Sequence, residues 1–167
     1  MRQLQGMHWL VSLLCFLLTL AVSAEPVSPE QTLEKILKWQ LSLRERPKDF
    51  DELVDLAKHK DQLTETYYQE VARCYRLNEP WKKGQTDSPP PLNYNPFTSA
   101  FGWRGFKVGK TRREGNLAVV PFTVEGRSGG EREAELQMKN GNWKLSDVFV
   151  RQGGKRVSVL TGLKAIK

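Results

Sequence analysis

Cysteine and histidine are scarce: the 167-residue chain holds two of each, and one of each lies in the first 24 residues. Beyond that point only Cys74 and His59 remain. A single cysteine cannot close an intrachain disulfide, so the stability of the remainder has to come from packing. One histidine, no paired cysteine and no carboxylate series at ligand spacing leave none of the usual metal-binding patterns, and no cofactor is implied. No apolar run past residue 24 is long enough to span a membrane. No catalytic constellation stands out either. Cys74 falls at a helical spacing from Val71 and reads as a small buried hydrophobe, while His59 sits in Lys58-His59-Lys60, whose cations suggest an exposed helix end.

The start of the chain is the most legible part. Met1 and Arg2 lead into Trp9–Val22, an uncharged stretch of 14 residues that ends in Val22-Ser23-Ala24 before Glu25-Pro26. A basic start, a short apolar run and small residues two apart form the layout of a cleavable secretory signal. The stretch falls short of the roughly 20 residues a spanning helix needs. Cleavage near Ala24-Glu25 and a periplasmic or secreted location are therefore expected, with residues 25–167 forming one domain. Cys15 follows two leucines inside the apolar run, so it is expected to leave with the signal. The alternative is an uncleaved anchor.

Charge is unevenly placed. Residues 25–88 carry 11 Lys and Arg against 13 Asp and Glu, whereas residues 89–167 carry 14 against 6. The basic surplus of the second part suits an acidic partner, or is simply a solvated face.

Ser28-Pro29-Glu30-Gln31 reads as a helix start, with serine as N-cap, proline at the first helical position and glutamine closing a capping box. Leu33, Ile36, Leu37, Gln40 and Leu41 continue it on one face to about Arg44, before Pro47. A second short helix is expected with its cap near Asp49 and Phe50, Leu53, Val54 and Ala57 inward. A third is expected from about Asp61, with Leu63, Tyr67, Tyr68, Val71 and Cys74 on one side. These helices occupy about residues 29–77. Residues 79–95, with Ser88-Pro89-Pro90-Pro91, have no period and form a loop. From about residue 104 to 160 the period becomes two, which predicts antiparallel strands. Asn140-Gly141 predicts a tight turn pairing Arg132–Lys139 with Trp143–Val150, and Pro121 argues for a bulge or edge position in its strand. A last strand is expected over Arg156–Leu160. Helices followed by antiparallel strands give an α+β fold, with N-terminal helices packed on a strongly curved sheet.

The Asn95-Pro96-Phe97 entry to the sheet, Val108-Gly109, the strand Leu117–Val124 and the closing Gly141-Asn142-Trp143-Lys144-Leu145-Ser146-Asp147-Val148 resemble the nuclear-transport-factor-2-like superfamily. The likeness covers about residues 30–150. It is nearest to small secreted or lipid-anchored bacterial proteins with that cystatin-like cone. The resemblance implies a bent sheet wrapped around the helices, with Trp143 as a wedge at the bend and Asp147 satisfying backbone or tyrosine donors near the cone mouth. It also implies binding more than chemistry: neutralising a toxic effector delivered into the periplasm, or supporting envelope proteins. Fold alone chooses none of these roles.

Two sets of candidate site residues follow. Tyr67, Tyr68 and Asp147 would converge in the cone as an isomerase-like site, or else form a structural hydrogen bond in the core. Trp81, Tyr94, Phe97, Phe101, Trp103 and Phe106 alternate with Lys82, Lys83, Arg104 and Lys107, which suits sugar stacking, a polyanion or a protein interface. Phe97, Phe101 and Phe106 are expected to plug the cone. Trp103 and Arg104 are expected as anchors for a protein partner, with Lys107, Lys110, Arg112 and Arg113 steering its acidic surface. The resulting expectation is a non-catalytic binding protein, effector-neutralising or envelope-associated. The alternatives are a carrier of a small apolar ligand or an isomerase-like enzyme. Nucleic acid fits the compartment badly.

Overall fold

The computed structural model describes residues 27–45 and 50–167. The expected export signal and the expected helix cap at Asp49 lie outside the described residues. Helix α1, Pro29–Ser42, begins with the capping box read from the sequence: Gln31 N donates to Ser28 Oγ at 3.2 Å and Ser28 N to Gln31 Oε1 at 2.9 Å. Its buried face includes Leu33, Ile36 and Leu37, and adds Trp39 to the expected set. A 3-10 turn, Leu43–Glu45, prolongs it.

Helix α2, Glu52–Lys58, is capped by Asp51, whose carboxylate accepts from Leu53 N and Val54 N. Its inward residue is Leu56. Val54 is 55% exposed and Ala57 is also outside, contrary to expectation. A helix of two turns lays only a narrow stripe against its neighbours, and Leu56 fills it. Trp39 Nε1 donates to Asp55 Oδ2 at 2.7 Å and ties α2 to α1. Helix α3, Glu65–Lys82, starts four residues later than expected, at the N-cap Thr64. A 3-10 turn, Lys60–Gln62, precedes it, and Thr64 N bonds to Leu145 O at 2.9 Å, fastening the helix start to the sheet. Tyr67, Val71 and Cys74 are buried as expected.

The aperiodic loop is held by side chains. Asn78 on α3 makes both hydrogen bonds of a strand neighbour with Leu92, donating to its carbonyl at 2.8 Å and accepting from its amide at 3.0 Å. Asn95 accepts from the amides of Phe97 and Thr98 and donates to Gln40 on α1. This turn drives Phe97 into the core, edge-on to Trp39 and Tyr67.

Six antiparallel strands follow: β1 Trp103–Val108, β2 Arg112–Glu114, β3 Leu117–Gly126, β4 Gly130–Lys139, β5 Asn142–Gln152 and β6 Lys155–Ser158. Their order is β1-β3-β4-β5-β6, with β2 also paired to β3. The β4–β5 hairpin has the expected register, Arg132 opposite Val150 and Lys139 opposite Asn142. Its turn residues Asn140 and Gly141 have φ of 51° and 77°, the positive angles such a turn requires. Pro121 sits in unbroken register with β4. Its missing donor faces the gap between the end of β1 and the start of β2, where its carbonyl accepts from Gly109 N at 2.8 Å. β3 is an interior strand with no bulge at Pro121, so the expected edge position exists only locally, at this gap.

The last expected strand is shorter than read. β6 stops at Ser158, which caps helix α4, Val159–Ala165. Val159 and Leu163 are buried, and the spacing of four residues between them marks the helix. Among the described residues the architecture is thus α+β, with four helices packed against a six-stranded antiparallel sheet. One core joins Leu33, Ile36, Leu37 and Val71 to Val120, Phe122, Leu136, Leu145 and Val148.

Candidate functional site

The interior residues expected to converge are each engaged in holding the fold. Tyr67 is fully buried and its hydroxyl donates to Pro96 O at 2.7 Å. Burial pushes this phenol well above its ordinary pKa, and the charge of Asp147 pushes it further in the same direction. Asp147 Oδ1 accepts from Val148 N at 2.7 Å and Leu160 N at 2.9 Å, and Oδ2 accepts from Ser158 Oγ at 2.5 Å. It therefore organises the junction between β6 and α4, taking backbone and serine donors rather than a tyrosine. A bulge in β5, where the register shifts opposite Glu135 and Leu136, sets Asp147 at this junction. Tyr68 is half-buried, with Lys60 Nζ 5.0 Å from its ring centre. The spare donors and acceptors that an acid–base pair needs are thus already occupied at Tyr67 and Asp147.

His59 departs from its exposed reading. It ends α2, but its ring stacks on Trp39 with centroids 4.0 Å apart, and Nδ1 lies 2.9 Å from Gln62 Nε2. Burial lowers its pKa and Lys35 and Lys58 add to that, against the opposing pull of Asp55 and Asp61. Among the described residues, no three His, Cys, Asp or Glu side chains come together as a metal-holding group.

On the surface, two expected aromatic roles are exchanged. Trp103, expected as an anchor, is 4% exposed, and its ring packs beside half-buried Phe106 in the core. Phe101, expected as a plug, is 54% exposed. Gly102, with φ of +54°, turns the chain sharply between them. Trp103 then pairs with Gly126 as the first residue of β1 and takes an inward position. Phe101 and Trp81, which is 47% exposed, line one hollow of about 390 Å³ between the end of α3 and the loop entering the sheet. Pro90, Leu92, Tyr94, Pro96 and Ala100 supply much of its apolar wall, and Arg44 and Lys82 also line it. Lys82 is engaged by Glu52 at 2.6 Å and Glu79 at 3.6 Å.

The expected basic cluster is divided by the pleat. Arg112 and Arg113 are adjacent on β2 and so point to opposite faces. Arg113 lies over the Trp143 ring at 5.3 Å, whereas Arg112 crosses the outer face to Glu133 at 3.2 Å. Lys107 is on the outer face, 3.7 Å from Glu125. Arg104 and Lys110 are exposed. Glu133 is the hub of this face, because Arg156 also donates to it at 2.8 Å while its guanidinium sits 3.2 Å from the Phe149 ring centre. A groove of about 290 Å³ runs here, lined by Lys107, Pro121, Glu131, Phe149, Arg151 and Arg156 among others. Sequence reasoning passed over Phe149, Arg151 and Arg156. The cations flanking the Gly153-Gly154 turn, Arg151 before it and Lys155 and Arg156 after it, were the signal for the two arginines.

No family model and no curated protein matches the chain. Among solved structures, a chain in the crystal structure of the type VI native effector-immunity complex Tae3-Tai3 from Ralstonia pickettii is similar at 15% identity and a TM-score of 0.45. The likeness spans 73% of this chain and 94% of that one. At that distance it carries no argument about what this protein binds. Among the described residues, no helix is long and apolar enough to cross a membrane.

Proposed function

We propose that the protein is exported and acts by binding another protein, with Trp81 and Phe101 as the anchors. The observation that carries this reading is their joint exposure in one hollow, while Trp39, Tyr67, Phe97 and Trp103 are buried. Folding drives large rings inside, and two left half in water beside an apolar wall suit a partner that covers them. Aromatic side chains in such hollows dominate binding energy at protein interfaces. The engagement of Tyr67 and Asp147 in structural hydrogen bonds weighs against a reaction in the interior.

The resemblance to small secreted proteins of the nuclear-transport-factor-2-like superfamily supplies the finer proposal: the partner is an effector toxin entering the periplasm, or an envelope protein. A photo-crosslinking amino acid at position 101, expressed in cells with the full chain, tests the hollow directly. The expected result is one cross-linked partner, which binds the purified protein and binds the Trp81→Ala, Phe101→Ala double variant about tenfold or more weaker, a loss of about 1.4 kcal/mol. Unchanged affinity in a folded double variant overturns the assignment. N-terminal sequencing of the protein recovered from the periplasm tests export, with Glu25 expected as the first residue.

A further inference from the structure

The hairpin of β5 and β6 carries an arrangement that folding alone does not ask for. Arg151 stands directly opposite Arg156 in the antiparallel register. Opposed residues of such a pair share one face, and like charges there repel. Arg156 is compensated, since it donates to Glu133 and its guanidinium lies on Phe149. Arg151 is exposed and forms no ion pair among the described residues. Both arginines and Lys107 line the outer groove, together with the apolar surfaces of Pro121 and Phe149.

The acids of the groove do not cancel this charge. Glu133 is shared between Arg112 and Arg156. Glu131 is exposed and has no ion pair among the described residues. The Lys107–Glu125 contact, 3.7 Å long with both side chains more than half exposed, holds Lys107 only loosely.

We propose that this groove is a docking site for an acidic segment of a partner protein, whose carboxylates pair with Arg151 and Lys107 while an apolar side chain settles on Pro121 and Phe149. The match is one of charge and shape. A carboxylate accepts bidentate bonds from an arginine, and its arrival removes the repulsion between Arg151 and Arg156. The groove shares no lining residue with the hollow that holds Trp81 and Phe101, so either site can fail without the other.

The test is a titration of the isotope-labelled protein with a short synthetic peptide alternating glutamate and leucine, followed by amide shifts at low salt. The expected shifts lie at residues 107–109, 122–123, 131–133 and 149–151. Arg151→Glu is expected to weaken binding about tenfold or more, and raised salt to weaken it too. The Trp81→Ala, Phe101→Ala variant is expected to bind this peptide as the parent does. Arg151→Gln is expected to raise the melting temperature of the free protein, since it removes the opposed charge. Shifts confined to Lys58, Lys60, Lys139 and Lys144, or an Arg151→Glu variant that binds unchanged, overturn the proposal. So does inorganic polyphosphate occupying the groove more tightly than the peptide, which assigns it to polyanions. A fall in melting temperature for Arg151→Gln makes Arg151 a structural residue and also overturns it.

Discussion

Along β4, Ala134 and Leu136 are fully buried, while their outward neighbours Glu131, Glu133 and Glu135 keep contact with water. The same contrast repeats on β3, where Ala118, Val120, Phe122 and Val124 face the core and Pro121 and Thr123 face out. Across the inward face the cohesion is apolar packing under helices. Across the outward face it is a strap of charge, Arg112 to Glu133 to Arg156, reaching from β2 to β6. The lesson is that the inner face supplies most of the folding energy, whereas the outer face is free to be specialised. Exposed ion pairs contribute little, with a median of about 0–1 kcal/mol, so stability constrains their positions only weakly.

The contrast is easiest to sharpen from inside. Leu136→Ala is expected to destabilise the protein by about 2–5 kcal/mol in denaturant unfolding, through lost burial and the cavity left behind. Asp147→Ala comes next, at about 1–3 kcal/mol, because the Leu160 amide and Ser158 hydroxyl lose their acceptor. Amide exchange is expected to speed up in α4 before it does elsewhere. Glu133→Gln, at the centre of the outer strap, is expected to cost no more than about 1 kcal/mol. A loss as large as that of Leu136→Ala would break the comparison.

A smaller effect appears at acid pH. Glu30 in the first turn of α1 accepts from Thr111 N at 3.0 Å. Burial pushes its pKa up, and the hydrogen bonds from Thr111, the helix backbone and Ser28 outweigh burial, bringing it from 4.5 to about 2. A folded-state pKa below the unfolded one means that the stabilisation is present above pH 4.5 and is lost as pH falls towards 2. Melting temperature measured across that window is expected to fall less steeply in Glu30→Gln than in the parent.

Much of the fold was legible because its signals are local. Ser28, Pro29 and Gln31 spell out a cap within four residues, Asn140-Gly141 specifies a turn by backbone angle alone, and alternation marks β3 to β5. What escaped depends on distant partners. The late start of α3 follows from Thr64 bonding to Leu145, and the early stop of β6 from Asp147 accepting from Ser158 and Leu160, partners that no window of neighbouring residues contains. The candidate site was legible in composition but not in direction. Trp103 and Phe101 stand two apart, and only the turn at Gly102 decides which ring goes inside. Likewise Arg112 and Arg113 read as one patch until β2 is seen to place them on opposite faces.

Arg73 on α3 donates to the carbonyls of Leu163 at 2.6 Å and Ile166 at 2.9 Å. One guanidinium thus binds two carbonyls at the C-terminal end of α4, of which that of Leu163 also accepts from Ile166 N at 3.2 Å, and does so while paired with Glu70. The last turn of α4 is therefore clasped from the side by a residue at least ninety positions earlier. In a truncation, the boundary that matters is the reach of that arginine: Lys167 beyond it is exposed, whereas a cut before Leu163 opens the core.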